Sequence, residues 1–194
     1  MILTLPFLAQ RNYLHGTTLF DTLLNEIPEG SSVSYKIPRM ILSNRISLEK
    51  FDETPEQQTG FAASLSWESD CAQGWIGIRE QTRSETIERV AYPEDAVTMS
   101  AKFGEKRVSF SSASPFTFVA TVVPLHKALL LRNKIVEGAG QWVFTRFDLK
   151  RVPETFQKID VEIDRVLGKQ LAKSNVIVDD ASIGTIYFSW LSSK

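Results

Sequence analysis

The feature that most constrains the fold of this chain is a faint internal similarity between its two halves. The segment 43–50 (SNRISLEK) aligns with 144–151 (FTRFDLKR), and the segment 70–78 aligns with 180–188. A repeated segment usually signals a repeated structural unit. The similarity therefore predicts two copies of one unit, each an apolar helix wrapped by an antiparallel sheet, which together form an intramolecular pseudo-dimer.

The length and composition of the chain permit this arrangement. Its 194 residues could form one domain or two small ones, and either would bury a substantial core. Hydrophobic residues make up 43% of the chain and charged residues 23%, which is ordinary for a globular protein. A charged stretch at 79–88 is followed by a turn at 92–95, so we predict a first unit over residues 1–92 and a second over 93–194.

The distribution of charge bears on the expected partners. The 22 basic and 23 acidic residues are scattered and give a formal net charge of −1, whereas nucleic-acid-binding proteins usually carry a basic stripe or patch. No apolar run is long enough to cross a bilayer, and the apolar start is short and broken by Pro6. We expect no nucleic-acid partner, no membrane partner and a cytoplasmic location. An RNA-binding sheet is the weaker alternative, and its binding would fall with added salt.

Cysteine and histidine are too few for a metal site of the Cys/His kind. The chain has one cysteine, Cys71, and two histidines, His15 and His126. It also lacks a glycine-rich phosphate loop, a Gly-x-Ser-x-Gly elbow and a dinucleotide fingerprint. We therefore expect no metal and no cofactor, and the kinases, dinucleotide-dependent dehydrogenases and serine hydrolases of those folds are disfavoured.

The first apolar helix is predicted at 18–27. Gly16 and Thr17 are suitable breaking or capping residues before it, and Pro28 follows it. Its apolar residues repeat at helical spacing on one face, namely Leu19, Phe20, Leu23, Leu24 and Ile27.

The second helix is predicted from Pro115 to about Asn133, with Ser114 as its N-cap. It is apolar nearly all round, which predicts burial. His126 lies just after Pro124, where it could satisfy the backbone carbonyl that the proline leaves without a donor, and we expect a core or interface histidine rather than a catalytic one.

Short alternating segments predict the strands. In the first half they are 33–37, 40–48, 61–67 and 75–79; in the second half they are 97–103, 107–111, 141–150, 156–165, 170–178 and 183–190. The helices and strands together indicate the α+β class.

Two stretches resemble a known superfamily. The order strand, Gly-Lys turn, long strand, Asp-type turn and final strand at 159–188 resembles the last three strands of hot-dog thioesterases and acyl-dehydratases. The opening YLHGTTLFDTL resembles the "HGG" entry to the central helix of acyl-CoA thioesterases, with Thr17 where that family has a second glycine. The resemblance implies a tandem double hot-dog of two hot-dog-like units.

The resemblance also implies a site at the start of the first helix. His15 would act as a general base or position a water, and Asp21 would act as a base or nucleophile. Gly16, with Thr17 beside it, would offer N–H groups to a thioester oxyanion at the helix N-terminus. The competing interpretation is structural: His15 packs beside Tyr13, and Asp21 merely suits the first turn of a helix.

Arg45 and Arg146 occupy equivalent positions in the aligned segments. Guanidinium groups suit phosphate and carboxylate, so both residues are candidate ligand-binding groups. The alternative for each is an inter-strand salt bridge with a nearby Asp or Glu.

The predicted function is binding or processing of an acyl thioester, carried on coenzyme A or an acyl-carrier protein, by hydrolysis or by hydration and dehydration. The alternative is a non-catalytic module that binds a small molecule or another protein. Association of copies of the chain into a homo-oligomer is left open.

Overall fold

The computed structural model describes residues 1–92, 94–111, 114, 116–136, 138–168 and 170–192. The chain divides into two compact units, Met1–Tyr92 and Pro93–Lys194. Each unit has an antiparallel sheet and one principal helix.

The first unit contains seven strands and one helix. In chain order they are β1 (Ile2–Thr4), β2 (Phe7–Leu8), α1 (Gly16–Leu24), β3 (Ser32–Lys36), β4 (Arg45–Phe51), β5 (Ala63–Glu68), β6 (Gln73–Glu80) and β7 (Arg89–Val90). The sheet order is β1-β4-β6-β5-β3, and β2 pairs separately with β7 in parallel. Helix α1 packs on the sheet, since the ring of Phe20 meets that of Tyr35 on β3 edge-on at 5.3 Å.

The described residues of the second unit form two helices and six strands. They are α2 (Glu94–Met99), β8 (Lys102–Phe103), β9 (Arg107–Phe110), α3 (Phe118–Arg132), β10 (Gly140–Leu149), β11 (Ile159–Leu167), β12 (Leu171–Val178) and β13 (Ala181–Ser192). The sheet order is β8-β9-β11-β12-β13-β10. Helix α3 packs across this sheet, and its buried residues surround nearly its whole circumference, as its sequence predicts.

The two units share part of their topology. In each, one strand that precedes the principal helix lies beside the second strand after it: β1 beside β4 in the first unit, and β9 beside β11 in the second. The last two strands are exchanged, because β6 lies beside β4 whereas β12 lies beside β11. A tight turn at Gly168 joins β11 to β12 and makes them neighbours, whereas the segment 52–62 is long enough to carry the chain from β4 to the β3 side.

One predicted strand is wrong. Residues 97–103 form the end of helix α2 and the short strand β8 rather than one strand. Glu94 and Asp95 occupy the first turn of α2, where carboxylates interact favourably with the helix dipole. Val97 is the buried residue of this helix, so the segment has too little apolar alternation to form a strand.

The predicted helix starts also need correction. Helix α1 begins at Gly16 with His15 as its N-cap, two residues before the predicted start, and ends at Leu24, so Ile27 lies beyond it. Helix α3 begins at Phe118, and Thr117 rather than Ser114 is its N-cap, with the Ala120 N–H donating to the Thr117 hydroxyl at 3.2 Å. The predicted first residue, Pro115, lies outside the described residues.

The structure confirms His126 as a core residue, whereas its expected contact with a backbone carbonyl near Pro124 is wrong. Its side chain reaches the sheet instead of the backbone near Pro124, and Nε2 lies 2.7 Å from the hydroxyl of Ser174 on β12. Both residues are fully buried, and the ring of Phe188 packs edge-on against the imidazole at 4.6 Å. His126 is therefore a core residue of the second unit.

Candidate functional site

The candidate site is built around His15 at the N-terminus of α1. The preceding residue, Leu14, forms a bridge with Ile41, which fixes the chain just before the helix. His15 itself has an extended backbone, and its carbonyl accepts the first helical hydrogen bond, from the Leu19 N–H at 3.2 Å. The imidazole is thus held at the positive end of the helix, where anions and developing negative charge are stabilised.

His15 caps the helix through its side chain. The ring Nδ1 accepts a long hydrogen bond from the Thr17 N–H at 3.4 Å and lies 2.8 Å from the Thr17 hydroxyl. Nδ1 can accept from the backbone only while it is unprotonated, which corresponds to a neutral imidazole with its proton on Nε2. Thr17 is only 2% exposed, and both its N–H and its hydroxyl contact the His15 ring, so Thr17 positions the imidazole.

Aromatic side chains enclose the imidazole, which is 8% exposed. The ring of Tyr92, at the end of the first unit, lies 5.5 Å from it, and the ring of Tyr13 lies 6.3 Å from it. The guanidinium of Arg11 lies over the Tyr92 ring at 5.6 Å. The expected proximity of His15 and Tyr13 is therefore present, together with a second tyrosine that the sequence did not indicate.

Arg89 holds the loop that leads to His15. From β7 its guanidinium donates to the carbonyls of Ala9 (3.0 Å) and Arg11 (2.8 Å) and to the amide oxygen of Asn12 (2.9 Å). Sequence reasoning missed Arg89 and Tyr92, because each lies more than seventy residues along the chain from its partners. No local pattern could have linked them.

Gly16, Thr17 and Asp21 all lie on α1. Gly16 is buried at the first helical position, and the N–H groups of a first turn have no acceptor within the helix. Asp21 is half-buried in the second turn. A rise of about 9 Å along the axis separates the backbones of His15 and Asp21, so a ligand that meets both must lie alongside the first two turns.

Comparison with known proteins gives structural matches alone. No protein-family profile matches the sequence, and no curated protein matches it. The structure is similar to an acyl-ACP thioesterase from Bacteroides thetaiotaomicron VPI-5482, with a TM-score of 0.52 and 9% identity over 98% of this chain and 96% of that chain. At this identity the match is evidence of fold. The chain has a hot-dog-like fold.

Two further solved structures are similar at lower TM-scores. The tesB protein of Mycobacterium avium subs paratuberculosis has a TM-score of 0.49 and 13% identity over 96% of this chain and 89% of that chain. A trans-AT PKS dehydratase domain from Brevibacillus brevis has a TM-score of 0.46 and 11% identity over 100% of this chain and 92% of that chain. The resemblance to hot-dog proteins that the sequence indicated is confirmed at the level of the fold by the match at a TM-score of 0.52.

The two arginines equivalent in the sequence have different surroundings in the hot-dog-like fold. Arg45 is exposed at the start of β4, and no carboxylate lies within ion-pair distance of it in the described part of the chain. Arg146 pairs with Asp148 at 2.8 Å and lies over the Tyr187 ring at 5.2 Å. Asp148 holds the pKa of Arg146 above its usual value. Arg146 and Asp148 lie on the same strand, β10. Arg146 therefore forms a salt bridge within one strand, and the predicted inter-strand salt bridge is wrong for this residue.

A polar groove of about 630 Å³ lies elsewhere in the first unit. It occupies the region where β3 and β6 begin and β4 and β5 end, and none of the predicted site residues lines it. Its walls include three serine hydroxyls, the Trp67 indole and three carboxylates, with the residues Ser32, Ser34, Ser66, Asp52, Glu53 and Glu68.

The described residues include no group of three or more His, Cys, Asp or Glu side chains arranged to hold a metal ion. Within the same residues, none of the helices has the length and apolar character needed to span a membrane.

Proposed function

We propose that this protein binds an acyl group carried as a thioester on coenzyme A or an acyl-carrier protein and processes it by hydrolysis or by hydration and dehydration. The observation that carries the proposal is the placement of His15 at the N-terminus of the first helix of a hot-dog-like fold. The structural similarity to an acyl-ACP thioesterase supports an acyl thioester as the substrate class.

In the proposed reaction the thioester carbonyl lies at the start of α1. The N–H of Gly16 and the helix dipole would stabilise negative charge on the carbonyl oxygen. The Thr17 N–H is directed at the His15 imidazole, so we assign Thr17 to positioning and Gly16 to the oxyanion.

The hydroxyl of Thr17 lets His15 work in either tautomer. When that hydroxyl donates to Nδ1, Nε2 carries the proton and can donate it; when Nδ1 instead donates to the hydroxyl, the Thr17 N–H loses its acceptor and Nε2 is a base. For hydrolysis, Nε2 takes a proton from water as the water oxygen attacks the carbonyl carbon. The carbon–sulfur bond then breaks, and the leaving sulfur takes that proton from Nε2 and departs as a thiol. Asp21 is the second proposed catalytic group, as a base or nucleophile toward the acyl chain.

Several features accompany this proposal. We propose that the two units are both hot-dog-like and pair as an intramolecular pseudo-dimer, with boundaries at 1–92 and 93–194, and that the protein works in the cytoplasm without a cofactor. Arg45 and Arg146 remain proposed ligand-binding residues. Arg45 is the stronger candidate for ligand binding, because the guanidinium of Arg146 is already paired with Asp148.

The test is turnover of a panel of acyl-CoA and acyl-carrier-protein thioesters. Thiol release reports hydrolysis, and mass spectrometry of 3-hydroxyacyl and enoyl thioesters reports hydration and dehydration. We expect the wild type to turn over at least one substrate, and His15→Asn and Asp21→Asn each to lower that rate. A wild type that is inert toward the whole panel would overturn the enzymatic proposal.

The second candidate is a non-catalytic binding module, and the polar groove beside Trp67 favours it. This groove supplies hydroxyl, carboxylate and indole groups away from His15, as a small polar ligand requires. This candidate would be favoured over catalysis if His15→Ala and Asp21→Ala fold and bind the ligand as the wild type does. Ligand binding should then be lost in Trp67→Ala.

A further inference from the structure

We infer that Arg83 and Arg89 form a phosphate-binding site on the surface of the first unit, beside the loop that leads to His15. The ligand is the phosphate ester shared by coenzyme A and the phosphopantetheine arm of a carrier protein, and this identification rests on the proposed function.

The two arginines converge on one aromatic ring. The guanidinium carbon of Arg83 lies 5.0 Å from the ring centroid of Phe7, and that of Arg89 lies 5.9 Å from the same centroid. Phe7 is fully buried although both arginines are exposed. The two guanidinium groups therefore lie near the same ring, and both side chains are open to solvent.

Neither Arg83 nor Arg89 forms an ion pair among the residues that the structure describes, and the exposed neighbours Glu85 and Glu88 form none either. A phosphate dianion that binds beside this ring is attracted by both positive charges. Guanidinium groups match the geometry of phosphate oxygens and bind them in a bidentate manner.

The two arginines have different roles in the proposed phosphate-binding site. Arg89 already donates three hydrogen bonds to the loop at 9–12, so it contributes charge from a fixed position. No hydrogen bond of Arg83 occurs in the described part of the chain, which leaves its donors for a ligand. Arg83 is thus the principal phosphate-binding residue, and Arg89 supports it.

The location links this site to the candidate catalytic group. Phe7 belongs to β2, and the chain runs from β2 through the loop held by Arg89 directly to His15 at the start of α1. A carrier arm whose phosphate is held at Phe7 is anchored at the base of the same loop that positions the imidazole.

The experiment measures binding of pyrophosphate, 4′-phosphopantetheine and pantetheine by calorimetry to the wild type and to Arg83→Ala. The matched control is Arg132→Ala, because Arg132 lies over the Phe103 ring at 4.0 Å in the second unit and so loses the same kind of contact. We expect Arg83→Ala to weaken binding of both phosphate compounds about tenfold or more, as for a lost charge-assisted hydrogen bond. Pantetheine binding and the control should not change.

Further experiments distinguish coenzyme A from a carrier protein as the source of the phosphate. They also distinguish failure of the phosphate site from failure of the proposed function. Coenzyme A and a phosphopantetheine-bearing carrier protein are compared as competitors of pyrophosphate, and the stronger competitor identifies the carrier. Arg83→Lys, which keeps the charge without the planar fork, should recover only part of the affinity. Equal binding of phosphate compounds by wild type and Arg83→Ala, or no binding by either, overturns the site. Arg83-dependent pyrophosphate binding in a protein inert toward acyl thioesters supports the site and overturns the proposed function.

Discussion

The imidazole of His15 and the hydroxyl of Thr17 lie 2.8 Å apart at the first turn of α1, and the Thr17 N–H points at the same ring nitrogen. His15 therefore has a structural duty as a helix cap in addition to its proposed chemistry. A loss of activity on replacing it has two explanations, which different substitutions can separate.

Substituting His15 by Asn and by Ala distinguishes capping from catalysis. Asparagine is a strong N-cap, whereas alanine removes the acceptor and typically costs about 1 kcal/mol. We expect urea unfolding of His15→Asn to resemble the wild type and that of His15→Ala to show this loss. Turnover should fall in both by about a hundredfold or more, the usual contribution of general acid–base catalysis. Full turnover by His15→Asn would assign the residue to structure alone.

Glu80 should make stability depend on pH in the acid range. Its carboxylate pairs with Arg39 at 2.6 Å and accepts the N–H groups of Leu42 and Ser43 at 2.7 and 2.8 Å. Burial raises the pKa of Glu80, but these hydrogen bonds outweigh it and leave the pKa below the ordinary 4.5. The folded state thus gains stability above pH 4.5 that disappears as the pH falls through the lowered value.

Replacing Glu80 by Gln tests this account. We expect a loss of about 1–2 kcal/mol at pH 7, as for hydrogen bonds to a charged group, and a smaller difference from the wild type near pH 3. Glu56→Gln, at an exposed loop position, is the control and should unfold like the wild type. A difference between Glu80→Gln and the wild type that stays constant from pH 7 to pH 3 would contradict the assigned pKa.

His126 should make stability depend on pH over a higher range. Burial lowers its pKa from 6.5 to about 3, because the charged form loses its hydration in the core. Below pH 6.5 the unfolded chain binds a proton that the folded chain does not, so stability falls as the pH is lowered toward 3. The slope from this group is about 1.4 kcal/mol per pH unit.

The double variant His126→Leu with Ser174→Ala removes this titration without leaving the serine hydroxyl alone. We expect its unfolding free energy to change less than that of the wild type between pH 7 and pH 5, by roughly 2 kcal/mol. Ser174→Ala alone retains the imidazole and should keep the wild-type slope. Parallel pH profiles for the double variant and the wild type would show that His126 is not held neutral.

Asp160 should be a major polar contributor to the second unit. Its side chain is 1% exposed, accepts from the Ser109 hydroxyl and pairs with Arg107 at 2.6 Å and Lys158 at 3.4 Å. Burial raises the pKa of Asp160, yet the bonds from Arg107 and Ser109 outweigh it and hold the pKa below its usual value.

We expect Asp160→Asn to lower the unfolding free energy by about 2 kcal/mol, since a buried acceptor loses charge-assisted bonds while Arg107 remains hydrated. Asp164→Asn is the matched control on the same strand; its carboxylate is 38% exposed and should contribute less than about 1 kcal/mol. Equal thermal midpoints for the two variants would show that the Asp160 network contributes no more than a surface pair.

The sequence predictions were most accurate where an element is fixed by interactions between residues close together in the chain. The apolar periodicity of 19–23 and the alternation of 171–178 were sufficient to predict α1 and β12, because burial of one face fixes those elements locally. The prediction for 97–103 was wrong, because two carboxylates at a helix start outweighed a weak strand pattern. The cap at His15 was missed, because histidine is not among the preferred N-cap residues.

The sequence by itself determined the types of most elements, the burial of the second helix and the position of His15 just before the first, since each depends on side chains a few residues apart. Tertiary structure decided the exchanged order of the last two strands, the enclosure of His15 by Tyr92, the convergence of Arg83 and Arg89 on Phe7, and the burial of His126 against Ser174. These relationships join residues far apart in the chain. Packing of the whole unit, rather than any local pattern, sets which of them meet.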